Sequence, residues 1–130
     1  MEEKKIKKPK LLIVEDDEFL VDLLLEGFSD QKIEIEVAYD GEKALEKVKE
    51  VKPDLILLDI LLPKIDGFEV LKRLKEDKST ANIPVVILSN LGQKEEIQRG
   101  YKLGAVDFLV KASFSLEEVV KKVKKYLSTS

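Results

Sequence analysis

Residues 54–67 read DLILLDILLPKIDG, and this stretch decides the fold. Leu55, Ile56, Leu57 and Leu58 run straight into one carboxylate, Asp59, with Pro63 and the pair Asp66-Gly67 close behind. A short, unbroken apolar run followed by turn residues predicts a strand buried on both faces, as in a parallel sheet. Asp59 then stands where that strand leaves the core. In an open α/β sheet, ligands bind at the carboxyl ends of the central strands. Taken alone, Asp59 serves equally well as the first polar residue of a loop, so the other strand ends must decide.

Working outward, Leu11-Leu12-Ile13-Val14 is a second run of the same kind, and it ends in Glu15-Asp16-Asp17. Phe19, Leu20, Leu23, Leu24 and Phe28 follow at helical spacing, which puts the acidic cluster at a strand-to-helix turn capped by Asp16 or Asp17. Ile33, Ile35 and Val37 alternate with Glu34 and Glu36, predicting a strand with one exposed face at or near a sheet edge. Asp40-Gly41 opens a helix with Ala44, Leu45 and Val48 inward. Asp66 caps the next helix, with Glu69 as its expected capping-box partner and Phe68, Val70, Leu71 and Leu74 buried. Pro84 opens the strand Val85 to Leu88, which ends at Ser89. A more polar helix from about Gln93 turns Ile97, Tyr101 and Leu103 inward and closes at Gly104. Phe108-Leu109-Val110 ends at Lys111, and Ser115 with Glu118 boxes a last helix that buries Val119, Val120, Val123 and Leu127.

The order is βα repeated five times. Short loops and right-handed crossovers make this an α/β fold, a doubly wound five-stranded parallel sheet with helices on both faces. At 130 residues, with 44% hydrophobic and 38% charged content, the chain is expected to form a single domain over 10–128 behind a solvated, lysine-rich tail over 1–9, with no effector domain. Net charge is −3, which creates no field for direct nucleic-acid binding, and no apolar run is long enough to span a membrane. There is no cysteine and no histidine. Thiolate chemistry, Ser-His catalysis and a phosphohistidine within this chain are therefore excluded, and the absence of cysteine fits a reducing, cytoplasmic setting.

In strand order 2-1-3-4-5 the first and third strands are neighbours. Glu15, Asp16 and Asp59 then converge beside the hydroxyl of Ser89 and the ammonium of Lys111. Converging carboxylates repel unless a cation sits among them, and an all-oxygen donor set favours magnesium, with manganese as an alternative. Metal, ammonium and hydroxyl together neutralise a transferring phosphoryl group, and the central carboxylate, Asp59, is the nucleophile that would carry it. Each residue singly can be a cap or a solvated side chain; their joint placement at one sheet edge is what points to chemistry.

At these residues the sequence resembles a response-regulator receiver domain of two-component signalling, of the stand-alone chemotaxis-regulator type with a flavodoxin-like (βα)5 fold. The resemblance covers about residues 10–128. It rests on Val14-Glu15-Asp16-Asp17, on Leu57-Leu58-Asp59-Ile60 with Pro63 and Asp66-Gly67, on Ser89 and on Lys111. It implies a phosphorelay in which a partner histidine kinase or phosphotransfer protein phosphorylates Asp59 with Mg²⁺. Asp16, Glu15 and the Leu61 backbone carbonyl would hold the metal with Asp59, and Ser89 and Lys111 would grip the phosphoryl oxygens. Phe108 would be an aromatic switch that follows the state of Ser89. The fourth helix, last strand and last helix would meet an output protein. Leu61 and Leu91 occupy the positions expected to tune the lifetime of the phosphorylated state. The receiver promotes its own modification and is consumed by it, so no turnover enzyme is implied. One departure stands out: Ala112 follows Lys111 where the family usually has a cis-proline, which leaves a trans or a strained peptide.

Three rivals keep part of this pattern. A pseudo-receiver would lack the intact acidic pair and acceptor. A flavodoxin-like cofactor binder would need a Ser/Thr/Gly phosphate loop where Glu15-Asp16-Asp17 stands. A magnesium phosphatase would typically need an acid at the position of Leu61.

Overall fold

Each apolar run of the sequence forms a strand in the computed structural model, which describes residues 8–29 and 32–128. The elements are β1 (Lys10–Val14), α1 (Glu18–Gly27), β2 (Glu34–Ala38), α2 (Gly41–Val51), β3 (Leu55–Leu58), α3 (Gly67–Glu76), β4 (Val85–Ser89), α4 (Lys94–Lys102), β5 (Asp107–Val110) and α5 (Leu116–Ser128), with a 3₁₀ turn over Lys111–Ser113. Of the expected 1–9 tail, residues 1–7 lie outside the described residues.

The strands pair in parallel in the order β2-β1-β3-β4-β5. The alternating strand with glutamates, β2, is an edge strand, and the two continuous apolar runs, β1 and β3, lie side by side within the sheet. Period-two alternation splits the core. Leu12, Val14, Ile56, Leu58, Val85, Ile87 and Phe108 pack with side chains of α2 and α3. Leu11, Ile13, Leu55, Leu57, Val86, Leu88 and Leu109 pack against α1 and α5. Both faces of the central strands are therefore dry, which is why their sequences lack polar alternation.

The helix starts follow capping chemistry. Asp17, rather than Asp16, caps α1, its Oδ1 accepting from the Phe19 and Leu20 amides. Asp40 accepts from the Lys43 amide at α2. The reciprocal Ser115–Glu118 box is complete. Gly104 follows α4 at φ 110°. Two expectations need correction. Asp66 accepts from the Glu69 amide as a cap, but the Glu69 carboxylate accepts from Arg73 Nε at 2.9 Å, one helical turn on, rather than from the cap residue. Tyr101 does not face the core; it is 47% exposed. Tyr101 turns outward because Asp107 offers its hydroxyl a partner at 3.2 Å.

Asp107 gathers more than Tyr101. Its carboxylate accepts from the Phe108 amide at 2.8 Å, from the Tyr126 hydroxyl at 2.7 Å and from Lys122 Nζ at 3.4 Å. Burial pushes this carboxyl up, but the four donors outweigh it and hold it below its ordinary 3.8. Burial and the Asp107 carboxylate push the Tyr126 hydroxyl up to about 12. A carboxyl depressed in the fold stabilises it above the unfolded value, and that stability is lost as pH falls through the folded value. Asp107→Asn is therefore expected to cost about 1–3 kcal/mol at neutral pH. The cost should shrink below the ordinary carboxylate value of 3.8. Denaturant melts of both proteins across the acid range check this, and a pH-independent difference would contradict it.

Candidate phosphoacceptor site

The parallel register brings the predicted residues to one edge. Val14 pairs with Leu58, and Asp59 continues the ladder by donating its amide to the Val14 carbonyl at 2.9 Å. Glu15 does the same toward Ala38 at 3.0 Å. Glu15 and Asp59 thus stand one residue beyond two adjacent strands. Ser89 ends β4, and Lys111 follows β5.

One carboxylate oxygen each from Glu15, Asp16 and Asp59 lies within 4.8 Å of the others. Glu15 and Asp59 are 2% and 4% exposed, whereas Asp16 opens to solvent. Lys111 Nζ bridges the two buried carboxylates, 2.8 Å from Glu15 Oε1 and 3.0 Å from Asp59 Oδ2. The remaining oxygens take backbone donors: the Asp17 amide reaches Glu15 Oε2 at 3.1 Å, and the Leu61 amide reaches Asp59 Oδ1 at 3.3 Å. Burial pushes the Glu15 carboxyl up to about 7; the Lys111 hydrogen bond pulls against this and the Asp59 charge adds to it. Burial would likewise lower the Lys111 ammonium, but its two carboxylate partners outweigh that and raise it. The site is thus a buried acidic pair held by one internal cation, with Asp16 exposed beside it. Three hard oxygens so close together suit a hard divalent ion that keeps part of its water shell.

Ser89 is fully buried, and its hydroxyl oxygen accepts from the Leu91 amide at 3.4 Å. Phe108 is buried, with its ring among the side chains under α3 and α4. Leu61 is 52% exposed, and Leu91 is partly buried against the core. Among the described residues there is no cis peptide, so the Lys111-Ala112 bond is trans and Lys111 begins the 3₁₀ turn.

Sequence reasoning took Gly67 only as half of a turn pair. Its Cα stands so close to the strand end that an added Cβ would meet the Asp59 carbonyl oxygen at 2.3 Å. Its amide donates to the Ile60 carbonyl at 2.7 Å. The first turn of α3 therefore packs directly on the backbone of the acceptor, which only glycine permits. The Asp-Gly pair at a helix start was the signal in the sequence.

Comparison with known proteins agrees with this geometry. Residues 11–124 match the response regulator receiver domain family. The transcriptional regulator RpaA of Synechocystis is 40% identical over 119 residues, which cover 92% of this chain and 49% of that protein. The chain thus spans about half the length of this regulator and of the transcriptional regulatory protein PhoP of Bacillus subtilis, which is 40% identical over 121 residues. The phosphorylated cyanobacterial phytochrome response regulator RcpA superposes with a TM-score of 0.88 at 31% identity, covering 95% of this chain and 97% of that one. The Mn²⁺-bound response regulator Rcp1 superposes at 0.84 with 29% identity, covering 94% and 96%. With the 2-1-3-4-5 sheet and the family match over most of its length, the chain belongs to the receiver domains of two-component response regulators.

Proposed function

We propose that this domain, over residues 10–128, accepts a phosphoryl group on Asp59 from a histidine kinase or phosphotransfer protein and thereby changes its protein contacts. The observation that carries the reading is the buried acidic pair Glu15 and Asp59, bridged by Lys111 and joined by Asp16 at one sheet edge. A carboxylate oxygen of Asp59 attacks phosphorus, the acyl phosphate P–O bond forms, and the P–N bond of the donor phosphohistidine breaks, its electron pair returning to the imidazole. Lys111, already on Asp59, is at hand to neutralise phosphoryl oxygens, and Ser89 supplies a hydroxyl. Glu15, Asp16, Asp59 and the Leu61 carbonyl would hold Mg²⁺ or Mn²⁺, which supplies charge neutralisation for the transferring group. Phe108 is the ring whose position follows Ser89. The surface of α4, β5 and α5 presents the result to an output protein, with no direct part for nucleic acid or membrane. The phosphorylated domain is the signal, so no turnover enzyme is implied, and a kinase-fed relay places it in the cytoplasm. Among the described residues no helix is long and apolar enough to cross a membrane.

The metal component is tested by melting. Mg²⁺ binds the folded cluster and not the unfolded chain, so stability rises by about 2.7 kcal/mol at a hundredfold excess over Kd. For a domain of this size that is a shift of roughly 8–15 °C. Asp16→Ala is expected to remove most of the rise. A parent melting curve unmoved across millimolar Mg²⁺ would contradict a metal role for these carboxylates.

A further inference from the structure

The loop that joins β3 to α3 is held by two tight turns. The Leu62 amide donates to the Ile60 carbonyl at 3.0 Å and the Ile65 amide to the Pro63 carbonyl at 2.8 Å, each closing a three-residue γ-turn. At the centre of the second, Lys64 has φ 70°, one of two non-glycine residues with positive φ among the described residues. A γ-turn of that sign is rare and strained, and glycine would adopt it freely where lysine does not. Strain of this kind persists only where the surroundings over-determine it, so the neighbours of Lys64 must hold it in place.

Those neighbours belong to the start of α2. The Pro63 carbonyl also accepts from the Gly41 amide at 3.3 Å. Gly41 stands so close to the loop that an added Cβ would overlap the Ile65 carbonyl oxygen. The Lys64 ammonium lies 3.9 Å from Asp40 Oδ2 and 3.9 Å from Glu42 Oε2, the residues on either side of Gly41. The Asp40 side chain is mostly buried and already caps α2 through Oδ1, so this partner is fixed in place. The acceptor loop is thus joined to α2 by its backbone, by close packing and by a charged side chain, all at one point. At its other end the same loop carries Asp59 and Leu61. The Ile60 and Pro63 carbonyls each accept from two amides, whereas among the described residues no amide takes the Leu61 carbonyl.

We infer that Lys64 is a positioning residue for the metal: by clasping Asp40 and Glu42 it keeps the loop seated on α2, and with it the segment that carries the Leu61 carbonyl. The inference rests on the reading of Glu15, Asp16, Asp59 and the Leu61 carbonyl as metal ligands, and adds the residue that holds their loop. Exposed ion pairs are individually weak, so the effect is a severalfold change in Mg²⁺ affinity and not loss of the fold.

The test is Lys64→Glu, read by titrating Mg²⁺ into parent and variant at constant ionic strength and following amide NMR shifts. The substitution replaces a cation by an anion on the loop that leads to the carboxylate cluster. Charge alone would therefore tighten Mg²⁺ binding. An unseated loop weakens it, because apparent affinity falls with the fraction of protein competent to bind. Kd is expected to rise about threefold in Lys64→Glu, to stay at the parent value in Lys64→Arg, and to recover in part when Glu42→Lys is added to Lys64→Glu. A Kd in Lys64→Glu equal to or below that of the parent would overturn the inference, as would an equal loss in Lys64→Arg. The Lys64 side chain is 57% exposed, so the variants keep the fold. A parent that shows no Mg²⁺ titration counts against the metal reading instead. Hydrogen exchange of the Gly41 amide then decides the clasp: it is expected to be faster in Lys64→Glu, and an unchanged rate would overturn the inference.

Discussion

Asp59→Asn is expected to abolish phosphoryl uptake and leave the fold intact. Asp59 follows β3, with its amide bonded to the Val14 carbonyl and the residue 4% exposed, so the change exchanges one oxygen for an NH₂ group of nearly the same size. The amide is no nucleophile toward phosphorus at neutral pH, and no other carboxylate takes the same place. Lys111 keeps its 2.8 Å contact with Glu15, so no cation is left buried without a partner. Removing one of three crowded carboxylates also relieves repulsion, so the metal-free variant should melt no lower than the parent. Intact mass after treatment with acetyl phosphate and Mg²⁺, together with a far-ultraviolet circular dichroism spectrum, checks both halves. Full labelling of the Asn variant would remove Asp59 from its assigned role.

The second large effect concerns how long the phosphoryl group stays. Hydrolysis needs a water in line with the P–O bond, held by a side chain that can donate or accept a hydrogen bond. The side chains of Leu61 and Leu91 can do neither, and on the proposed reading both would keep water off the approach. Leu61 is 52% exposed, so Leu61→Asn adds a water-holding amide with little loss of packing. Leu91 packs partly against the core, so Leu91→Glu carries a larger structural cost and serves as the second probe. Phospho-Asp59 is expected to decay slowly in the parent and about tenfold faster in the polar variants, equal to ~1.4 kcal/mol in the barrier. Loss of phosphate followed by mass in the presence of Mg²⁺ measures this. Equal decay in parent and variants would show that the leucines do not set the lifetime.

The sheet and its order were legible because the central strands are buried on both faces, and unbroken apolar runs such as Leu11 to Val14 and Leu55 to Leu58 record that directly. Glu15, Asp16, Asp59, Ser89 and Lys111 were legible as candidates because each follows or ends such a run. Which of Asp16 and Asp17 caps α1 depends on the backbone conformation at the turn, which residue type does not reveal; Asp17, extended at φ −81° and ψ 101°, takes the role. Tyr101 was misread because its helical spacing fits an inward face, while the carboxylate that draws its hydroxyl outward, Asp107, lies on another element. The close approaches at Gly41 and Gly67 depend on how elements pack, and the sequence shows only that a glycine is present.

The central claim is that Asp59 is a metal-assisted phosphoacceptor, and it is tested most directly by the parent protein alone. Acetyl phosphate is added with Mg²⁺, and in parallel with a chelator; the intact mass is read, and the adduct is located by fragmentation. The account predicts one phosphoryl group per chain, formed with Mg²⁺ and not with the chelator, on the segment that carries Asp59. No adduct, an adduct equally abundant in chelator, or one located on another segment would contradict it.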